Sequence, residues 1–122
     1  MDRGKSIFTK EVFTAEVIAA GGSAYSSIFD LSQAGGQFSM QLELTGDGTA
    51  KVEWVGSNDG TTFLKPNNAN DIVTAFIKTG GPGSDGKHIY GFVVSLVKFM
   101  KIKVIETSTT DPITVTATLA IQ

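Results

Sequence analysis

The sequence lacks cysteine altogether and has a single histidine, His88, among its 122 residues. Without cysteine the chain can form no disulfide, thiolate zinc site or cysteine nucleophile, as is typical of proteins made in a reducing compartment. With one histidine it can build no multi-histidine metal site, and any Ser-His-Asp triad would have to include His88. We therefore expect a protein that is not an enzyme, with no catalytic residue, cofactor or metal site.

Long apolar runs and an excess of positive charge are also missing. No apolar stretch approaches the roughly 20 residues needed to cross a bilayer, and no signal-peptide core follows the charged N-terminal residues. Ten Lys and Arg residues against 12 Asp and Glu residues give a net charge of −2, which offers no electrostatic footprint for phosphates. These features predict synthesis in the cytoplasm, with neither a membrane nor a nucleic acid as partner.

What the sequence has instead is alternation of apolar and polar residues. Residues 38–45 (FSMQLELT), 99–106 and 113–121 alternate clearly, which is the period of strands with one buried face. Trp54 is in phase with Val52, so we expect it in the core. About eight such segments with turn residues between them predict an all-β fold, an antiparallel β-sandwich of the jelly-roll type.

Glycine-containing turns separate the patterned segments. The run Thr45-Gly46-Asp47-Gly48 lies between two alternating segments and predicts a β-hairpin, because glycine tolerates the positive φ that hairpin turns require. A second turn, SNDG at residues 57–60, follows. Residues 89–96 are apolar almost throughout, which predicts a strand covered on both faces or one whose outer face meets a partner.

The first twenty residues are the most ambiguous part of the sequence. Phe13, Ala15 and Val17 alternate with polar residues and favour a strand, although the segment also tolerates a helical interpretation. We divide the chain into an N-terminal arm or edge strand (residues 1–20) and a β-sandwich domain (residues 21–122). Apolar residues of an arm need burial against a neighbour, whereas ordinary edge-strand packing would bury them in their own domain. The predicted partner contacts in this segment are Ile7, Phe8, Val12 and Phe13.

The glycine-rich run at residues 81–88, GPGSDGKH, is close to the phosphate-binding pattern GxxxxGK[ST]. We reject that interpretation because His88 replaces the hydroxyl that would hold magnesium, and a strand-like run replaces the helix. A contact loop on a rigid sandwich is a better explanation. Its predicted partner contacts are Gly81, Asp85 and Lys87.

Carboxylates and amides are scattered without a ligand or acid–base pattern. The acidic and amide residues near turns match no calcium loop and are explained by turn formation. The glutamates on strands are expected on solvated faces. The turn group comprises Asp47, Asn58, Asp59, Asp71 and Asp85, and the strand group comprises Glu11, Glu16, Glu43, Glu53 and Glu106.

Several motifs together resemble a known group of proteins. These are VEWVGSNDGTTF at residues 52–63, DIVT at 71–74 followed by the Gly-Pro-Gly loop, FMKIKV at 99–104 and ATLAI at 117–121. In combination they resemble small structural proteins of tailed-bacteriophage and prophage virions, over roughly residues 25–122. That group has short jelly-roll-like domains.

The resemblance implies a noncatalytic building block of a virion. The expected role is a capsid decoration (cement) protein that binds major capsid subunits and assembles as a dimer or trimer; a tail component is also compatible. The resemblance implies no catalytic residues in this sequence. The competing hypothesis is a carbohydrate-binding β-sandwich module of a tail, fibre or secreted protein, which would require exposed aromatic side chains.

Overall fold

A computed structural model describes residues 7–32, 34–67 and 69–122. These residues form strands and no helix, which confirms the predicted all-β class. None of the described residues belongs to a helix that could span a membrane. The strands are β1 (Phe8–Ile18), β2 (Ser23–Tyr25), β3 (Phe29–Asp30), β4 (Phe38–Thr45), β5 (Ala50–Ser57), β6 (Val73–Phe76), β7 (Lys87–Phe92), β8 (Phe99–Glu106) and β9 (Ile113–Ile121).

The strands form two antiparallel sheets with nested pairing. The four-stranded sheet has the order β1-β9-β4-β7, and the five-stranded sheet has the order β2-β8-β5-β6 with β3 also paired to β8. Thus β1 pairs with β9, β2 and β3 with β8, β4 with β7, and β5 with β6. This is one long hairpin rolled into two sheets, the arrangement of a jelly roll, with β2 and β3 acting as one interrupted edge strand.

The core lies between the sheets and is made by strands that alternate strictly. Inward residues of β4, β8 and β9 are buried while their neighbours on the opposite face are partly or fully exposed. Trp54 is 3% exposed and lies in this core, as its phase predicts. Fully buried side chains from both sheets include Met40, Leu42, Met100, Ile102, Val115 and Leu119.

The turn at Gly46 joins the two sheets and is not a hairpin. β4 pairs only with β7 and β9, and β5 pairs only with β6 and β8, so these consecutive strands are not neighbours. Gly46 has φ +94°, and a Cβ there would lie 2.7 Å from the carbonyl oxygen of Pro112. The hairpin prediction is wrong because alternation identifies the buried face of a strand but not its neighbour.

β1 changes phase at a bulge. Phe13 is buried, but the pairing with β9 shifts between Phe13 and Glu16, and Ala15 has φ +46°. Beyond this irregularity Val17 is 68% exposed and Ile18 is 2% exposed. The alternation predicted from Phe13 through Val17 is therefore wrong after Ala15, because the bulge re-aims the following side chains.

The apolar run at residues 89–96 is not a strand covered on both faces. β7 ends at Phe92 and forms one edge of its sheet, so only the alternative prediction, an outer face that meets a partner, remains open. Ile89 is 59% exposed on the outer face of this strand, while Val93 and Leu96 in the following loop are 82% and 99% exposed.

Candidate interaction surfaces

The four partner contacts predicted within residues 1–20 differ in their exposure in the structure. Ile7 and Phe8 lie at the start of β1, where Phe8 pairs with Ile121, and their side chains are 62% and 55% exposed. Val12 is half-buried against the core. Phe13 is 3% exposed within the core of its own domain, so its side chain cannot contact a partner.

The predicted contacts of the glycine-rich loop lie at the opposite end of the sandwich. Lys87 pairs with Glu43, whereas Phe8 and Phe38 both pair with Ile121 at the other end of the same sheet. The step from Phe38 to Glu43 corresponds to about 17 Å along a strand. The structure therefore does not bring the two predicted groups into one surface.

The glycine-rich loop is closely hydrogen-bonded. The amide of Ser84 donates to the carbonyl of Gly81 at 3.1 Å, and the amide of Gly86 donates to that of Gly80 at 3.0 Å. Gly81 has φ +85°, and a Cβ there would lie 2.1 Å from the carbonyl oxygen of Lys87. Gly81 thus has a structural role in the turn, and only Asp85 and Lys87 of the predicted trio expose side chains.

Exposed apolar side chains gather at the end where the strand β1 begins. We call this surface the apolar loop end; it comprises Ile7, Phe8, Leu64, Val93 and Leu96. Two open depressions of about 630 and 470 Å³ lie beside it and share Asn58 and Val97 in their walls. The predicted contact residues do not include Leu64, Val93 or Leu96, although Val93 and Leu96 belong to the apolar run 89–96, for which a face that meets a partner is one of the two interpretations.

The SNDG turn forms a fixed rim of this end. The Asp59 carboxylate accepts hydrogen bonds from the amides of Thr61 and Thr62 and from the hydroxyl of Ser57. These bonds, led by the one from Thr62, lower the pKa of Asp59 to about 2, so the group stays ionised at neutral pH. Asn58 Oδ1 accepts the amide of Lys98 at 3.0 Å, which ties this turn to the loop that follows β7.

A lysine and aromatic cluster covers part of the outer face of the five-stranded sheet. Lys101 Nζ lies 4.3 Å from the ring centre of Phe63 and 5.4 Å from that of Tyr25. Lys103 Nζ lies 5.3 Å from the same Tyr25 ring. Tyr25 is 52% exposed, so it is an aromatic side chain that a ligand could contact.

Glu53 is at the centre of an ion-pair network beside this cluster and is not on a solvated face as expected. Its carboxylate lies 2.9 Å from Lys65 Nζ, 3.8 Å from Lys51 Nζ and 3.9 Å from Lys103 Nζ. The hydrogen bonds of Lys65 to Asp71 and to Glu53 raise the pKa of Lys65. Glu53 is buried because the segment after the SNDG turn returns along β5, as the bridge between Gly56 and Leu64 shows.

Glu106 is the second glutamate whose predicted exposure is wrong. It is 1% exposed, and its carboxylate accepts hydrogen bonds from the amides of Gly21, Thr49, Ser108 and Thr109 at 2.7–3.0 Å. Burial raises the pKa of Glu106, but the hydrogen bonds outweigh burial and bring it to about 2. The side chain serves as a connector between loops.

Three of the turn carboxylates, those of Asp47, Asp59 and Asp71, pair with lysines or with backbone amides. Asp47 forms an ion pair with Lys78, and Asp71 with Lys65. Within residues 7–32, 34–67 and 69–122, no three His, Asp or Glu side chains are grouped as ligands for a metal ion.

His88 belongs to an aromatic cluster at the open side of the sandwich, between the edge strands β6 and β7. Its ring centre lies 4.3 Å from that of Tyr90 and 6.5 Å from that of Phe76. The Nδ1 atom of His88 accepts a hydrogen bond from the amide of Ile89 at 2.8 Å. Burial raises the pKa of Tyr90. The His88 side chain therefore packs against aromatic rings and accepts a backbone hydrogen bond at the edge of the sheet.

Comparison with solved structures gives matches at low sequence identity. The infectious bursal disease virus VP2 subviral particle matches 95% of this chain with a TM-score of 0.60 and 9% identity, and the match spans 32% of the VP2 chain. PliG, a periplasmic inhibitor of g-type lysozyme from Aeromonas hydrophila, has a TM-score of 0.51 and 13% identity over 100% of this chain and 91% of PliG. The SPBc2 prophage-derived protein YomS has a TM-score of 0.49 and 7% identity over 94% of this chain and 93% of YomS.

The matches to VP2 and PliG show that this β-sandwich arrangement of strands also occurs in known proteins. No protein-family model and no curated protein matches the sequence.

Proposed function

We propose that this protein is a non-enzymatic structural protein of a tailed-phage virion, a capsid decoration protein that binds major capsid subunits through its apolar loop end. The observation that carries the proposal is the gathering of Ile7, Phe8, Leu64, Val93 and Leu96 at one end of a jelly roll. The resemblance of the strand and turn motifs to virion proteins supports the same role. The presence of this fold in VP2, a protein of a viral particle, is compatible with it.

The apolar loop end has the features of a surface that binds another protein. Large apolar side chains exposed at one end of the sandwich are unfavourable in water, and a partner that covers them removes this cost. The SNDG turn beside this surface is held by hydrogen bonds such as that from the Lys98 amide to Asn58, so this turn loses little conformational entropy on binding. On a capsid, many copies of a modest contact add their effects.

The test uses purified protein and capsids that lack it. We expect saturable co-sedimentation of the wild-type protein. Leu96→Glu should weaken binding at least about tenfold, because it places a charge where apolar contact is needed. Leu96 is 99% exposed, so this substitution leaves the fold intact. The matched control is Val17→Glu at a 68% exposed position near the other end of the sandwich, which should bind like wild type.

Two results would contradict the proposal. If the wild-type protein does not bind capsids, the proposed role is wrong. If Leu96→Glu and Val17→Glu lose capsid binding equally, the apolar loop end is not the contact surface. Stoichiometric inhibition of a g-type lysozyme, the activity named for PliG, would point instead to an inhibitor.

A second candidate function is carbohydrate binding, favoured by the exposed ring of Tyr25. Aromatic rings beside polar groups stack on sugars, and Tyr25 lies beside Lys101 and Lys103. Trp54 is buried, so its ring cannot stack on a sugar. Retention of the protein on a glycan array, lost in Tyr25→Ala but kept in Leu96→Glu, would favour this function over capsid binding.

A further inference from the structure

The outer face of the five-stranded sheet carries an excess of positive charge. Trp54 of β5 and Ile102 of β8 point into the core, so their neighbours Glu53 and Lys103 lie on the opposite, outer face. Tyr25 of β2 is on the same face, because it pairs with Lys103. The lysine and aromatic cluster and the adjacent ion-pair network together contain Lys51, Lys65, Lys101, Lys103, Glu53 and Asp71. Four positive and two negative groups leave a local charge of +2, whereas the whole chain has a net charge of −2.

The excess charge is located at two of the four lysines. Lys65 Nζ lies 2.9 Å from the Glu53 carboxylate and 2.6 Å from that of Asp71, so its charge is compensated. Lys103 Nζ is 3.9 Å from Glu53, at the outer limit of an ion pair. Lys101 forms no ion pair with any residue that the structure describes. The weakly compensated charges are therefore those of Lys101 and Lys103.

Aromatic rings hold Lys101 in place without neutralising it. Its Nζ atom lies 4.3 Å from the ring centre of Phe63 and 5.4 Å from that of Tyr25. A cation–π contact orients an ammonium group but leaves its positive charge uncompensated and its N–H donors available. Lys101 and Lys103 are both half-buried, so water weakens their attraction for a carboxylate less than at a fully exposed lysine.

The spacing of the two lysines fits a partner with an extended backbone. Lys101 and Lys103 are two positions apart on one face of β8, which places their Cα atoms about 7 Å apart. An extended peptide has the same repeat, so its side chains at alternate positions have the same spacing. Tyr25, which is 52% exposed, adjoins both lysines and offers its ring to the aliphatic part of such side chains.

We propose that Tyr25, Phe63, Lys101 and Lys103 form a binding surface, the lysine face, for an extended acidic segment of another protein. In this segment Asp or Glu alternates with uncharged residues, and two of its carboxylates pair with Lys101 and Lys103. Two ion pairs at a partly exposed surface support weak binding, with a dissociation constant of about 0.1–1 mM at low ionic strength. The partner is selected by charge, whereas the apolar loop end selects by apolar contact.

NMR titration of the isolated protein locates and measures this binding. The probe is a peptide of alternating glutamate and serine, added to the isotopically labelled protein. We expect the amide signals of Tyr25, Lys101 and Lys103 to shift. Lys101→Gln and Lys103→Gln should each weaken binding about threefold or more. The charge-matched control is Lys78→Gln, which removes one positive charge from the loop after β6 and should bind like wild type.

A second peptide tests the spacing. It has the same number of glutamates, each separated from the next by two serines, so that successive carboxylates point to opposite sides of the extended chain. This peptide should bind at least about threefold more weakly, because it brings one carboxylate at a time to the lysine face. Raising the sodium chloride concentration from about 20 to about 300 mM should weaken the binding of both peptides.

The inference does not depend on the virion role, since these measurements need no capsid. Absence of shifts at Lys101 and Lys103 with millimolar peptide would overturn it, as would an equal loss of binding in Lys78→Gln. Equal binding of the two peptides would exclude the alternating arrangement. Hyaluronate, a sugar polymer that carries carboxylates, is the third probe. If it shifts the same signals at lower carboxylate concentration than the peptide, the ligand is an acidic sugar and the proposed protein partner is wrong.

Discussion

At the residue scale, Glu106 joins three loops through one carboxylate. Gly21 lies between β1 and β2, Thr49 precedes β5, and Ser108 follows β8; each donates an amide hydrogen to Glu106. A buried carboxylate is costly unless its oxygens accept such bonds, and these bonds favour its charged form. The charge of Glu106 is therefore part of what holds the end of the sandwich opposite the apolar loop end.

The stability of the protein should fall in acid because of this group. The pKa of Glu106 is about 2 in the folded state against an ordinary value of 4.5, so folding stabilises the ionised form. Its contribution is complete above about pH 4.5 and is lost as the pH falls towards 2. Thermal unfolding of Glu106→Gln should show a melting temperature lower by about 5 °C or more at pH 7, with a smaller further decrease in acid than the wild type.

Glu43→Gln is the matched control for this prediction. Glu43 lies on the half-exposed outer face of β4, and Glu43→Gln should lower the melting temperature at pH 7 much less than Glu106→Gln does. Asp59, with a pKa also about 2, retains part of the acid sensitivity in both variants. Parallel pH profiles of the wild type and Glu106→Gln would contradict the role assigned to Glu106.

The burial of Glu106 is only partly visible in the sequence. It is in phase with Met100, Ile102 and Val104, so the alternation itself places it inside. Its polar side chain nevertheless suggests a solvated strand end. The deciding partners lie far along the chain: Gly21 is 85 positions away, and single-sequence periodicity carries no information on such contacts.

At the element scale, the bulge in β1 determines which side chains of that strand reach the core. Ile18→Ala should destabilise the protein by about 2–5 kcal/mol, because it removes a buried side chain and leaves a cavity. Val17→Ala should change stability by no more than about 0.5 kcal/mol, because Val17 is exposed. Urea unfolding of the two variants measures the difference directly.

The reverse order of these two effects would show that β1 keeps the uninterrupted alternation predicted from the sequence. Equal effects would show that β1 is not packed as described. The pair is informative because the residues are adjacent, both aliphatic and in the same strand.

Some elements are predictable to the residue from the sequence and others are not. β8 and β9 alternate without interruption, and their bounds, Phe99–Glu106 and Ile113–Ile121, equal the patterned segments. The alternation also identifies β4 and β5, but it predicts a hairpin at Gly46 where the chain crosses between sheets. A two-residue period defines one buried face, and both a hairpin and a crossing between sheets satisfy it.

At the scale of the whole molecule, the nested pairing links every part of the chain to a distant part. Neither sheet is formed from one continuous segment, so neither can persist alone. We expect a single cooperative unfolding transition. Fluorescence of Trp54, which reports the five-stranded sheet, and the NMR signals of His88, which report the other sheet, should give the same urea midpoint.

Both probes are unambiguous, because the chain has one tryptophan and one histidine. Two separated midpoints would show that the sheets unfold independently. A variant such as Leu42→Ala, in the core between the sheets, should shift both midpoints together.

The grouping of residues into the candidate surfaces cannot be predicted from the sequence alone. Ile7 and Phe8 are predicted contacts and are exposed, but their grouping with Leu64 and Leu96 depends on which loops share an end of the sandwich. The strand order determines which loops lie at the same end. The edge at Ile89 is likewise a property of topology, since the sequence of a strand does not say whether it is central or at an edge.

The pairing of Phe8 with Ile121 has a practical consequence for engineering. Opposed residues of neighbouring antiparallel strands lie about 5 Å apart, so in a chain trimmed to residues 8–121 a short turn could join the start of β1 to the end of β9. New termini could then be opened at residues 82–85, in the loop at the far end of the sandwich. Such a circular permutant would keep every strand pairing and would have its new ends at the side of the sandwich opposite the apolar loop end.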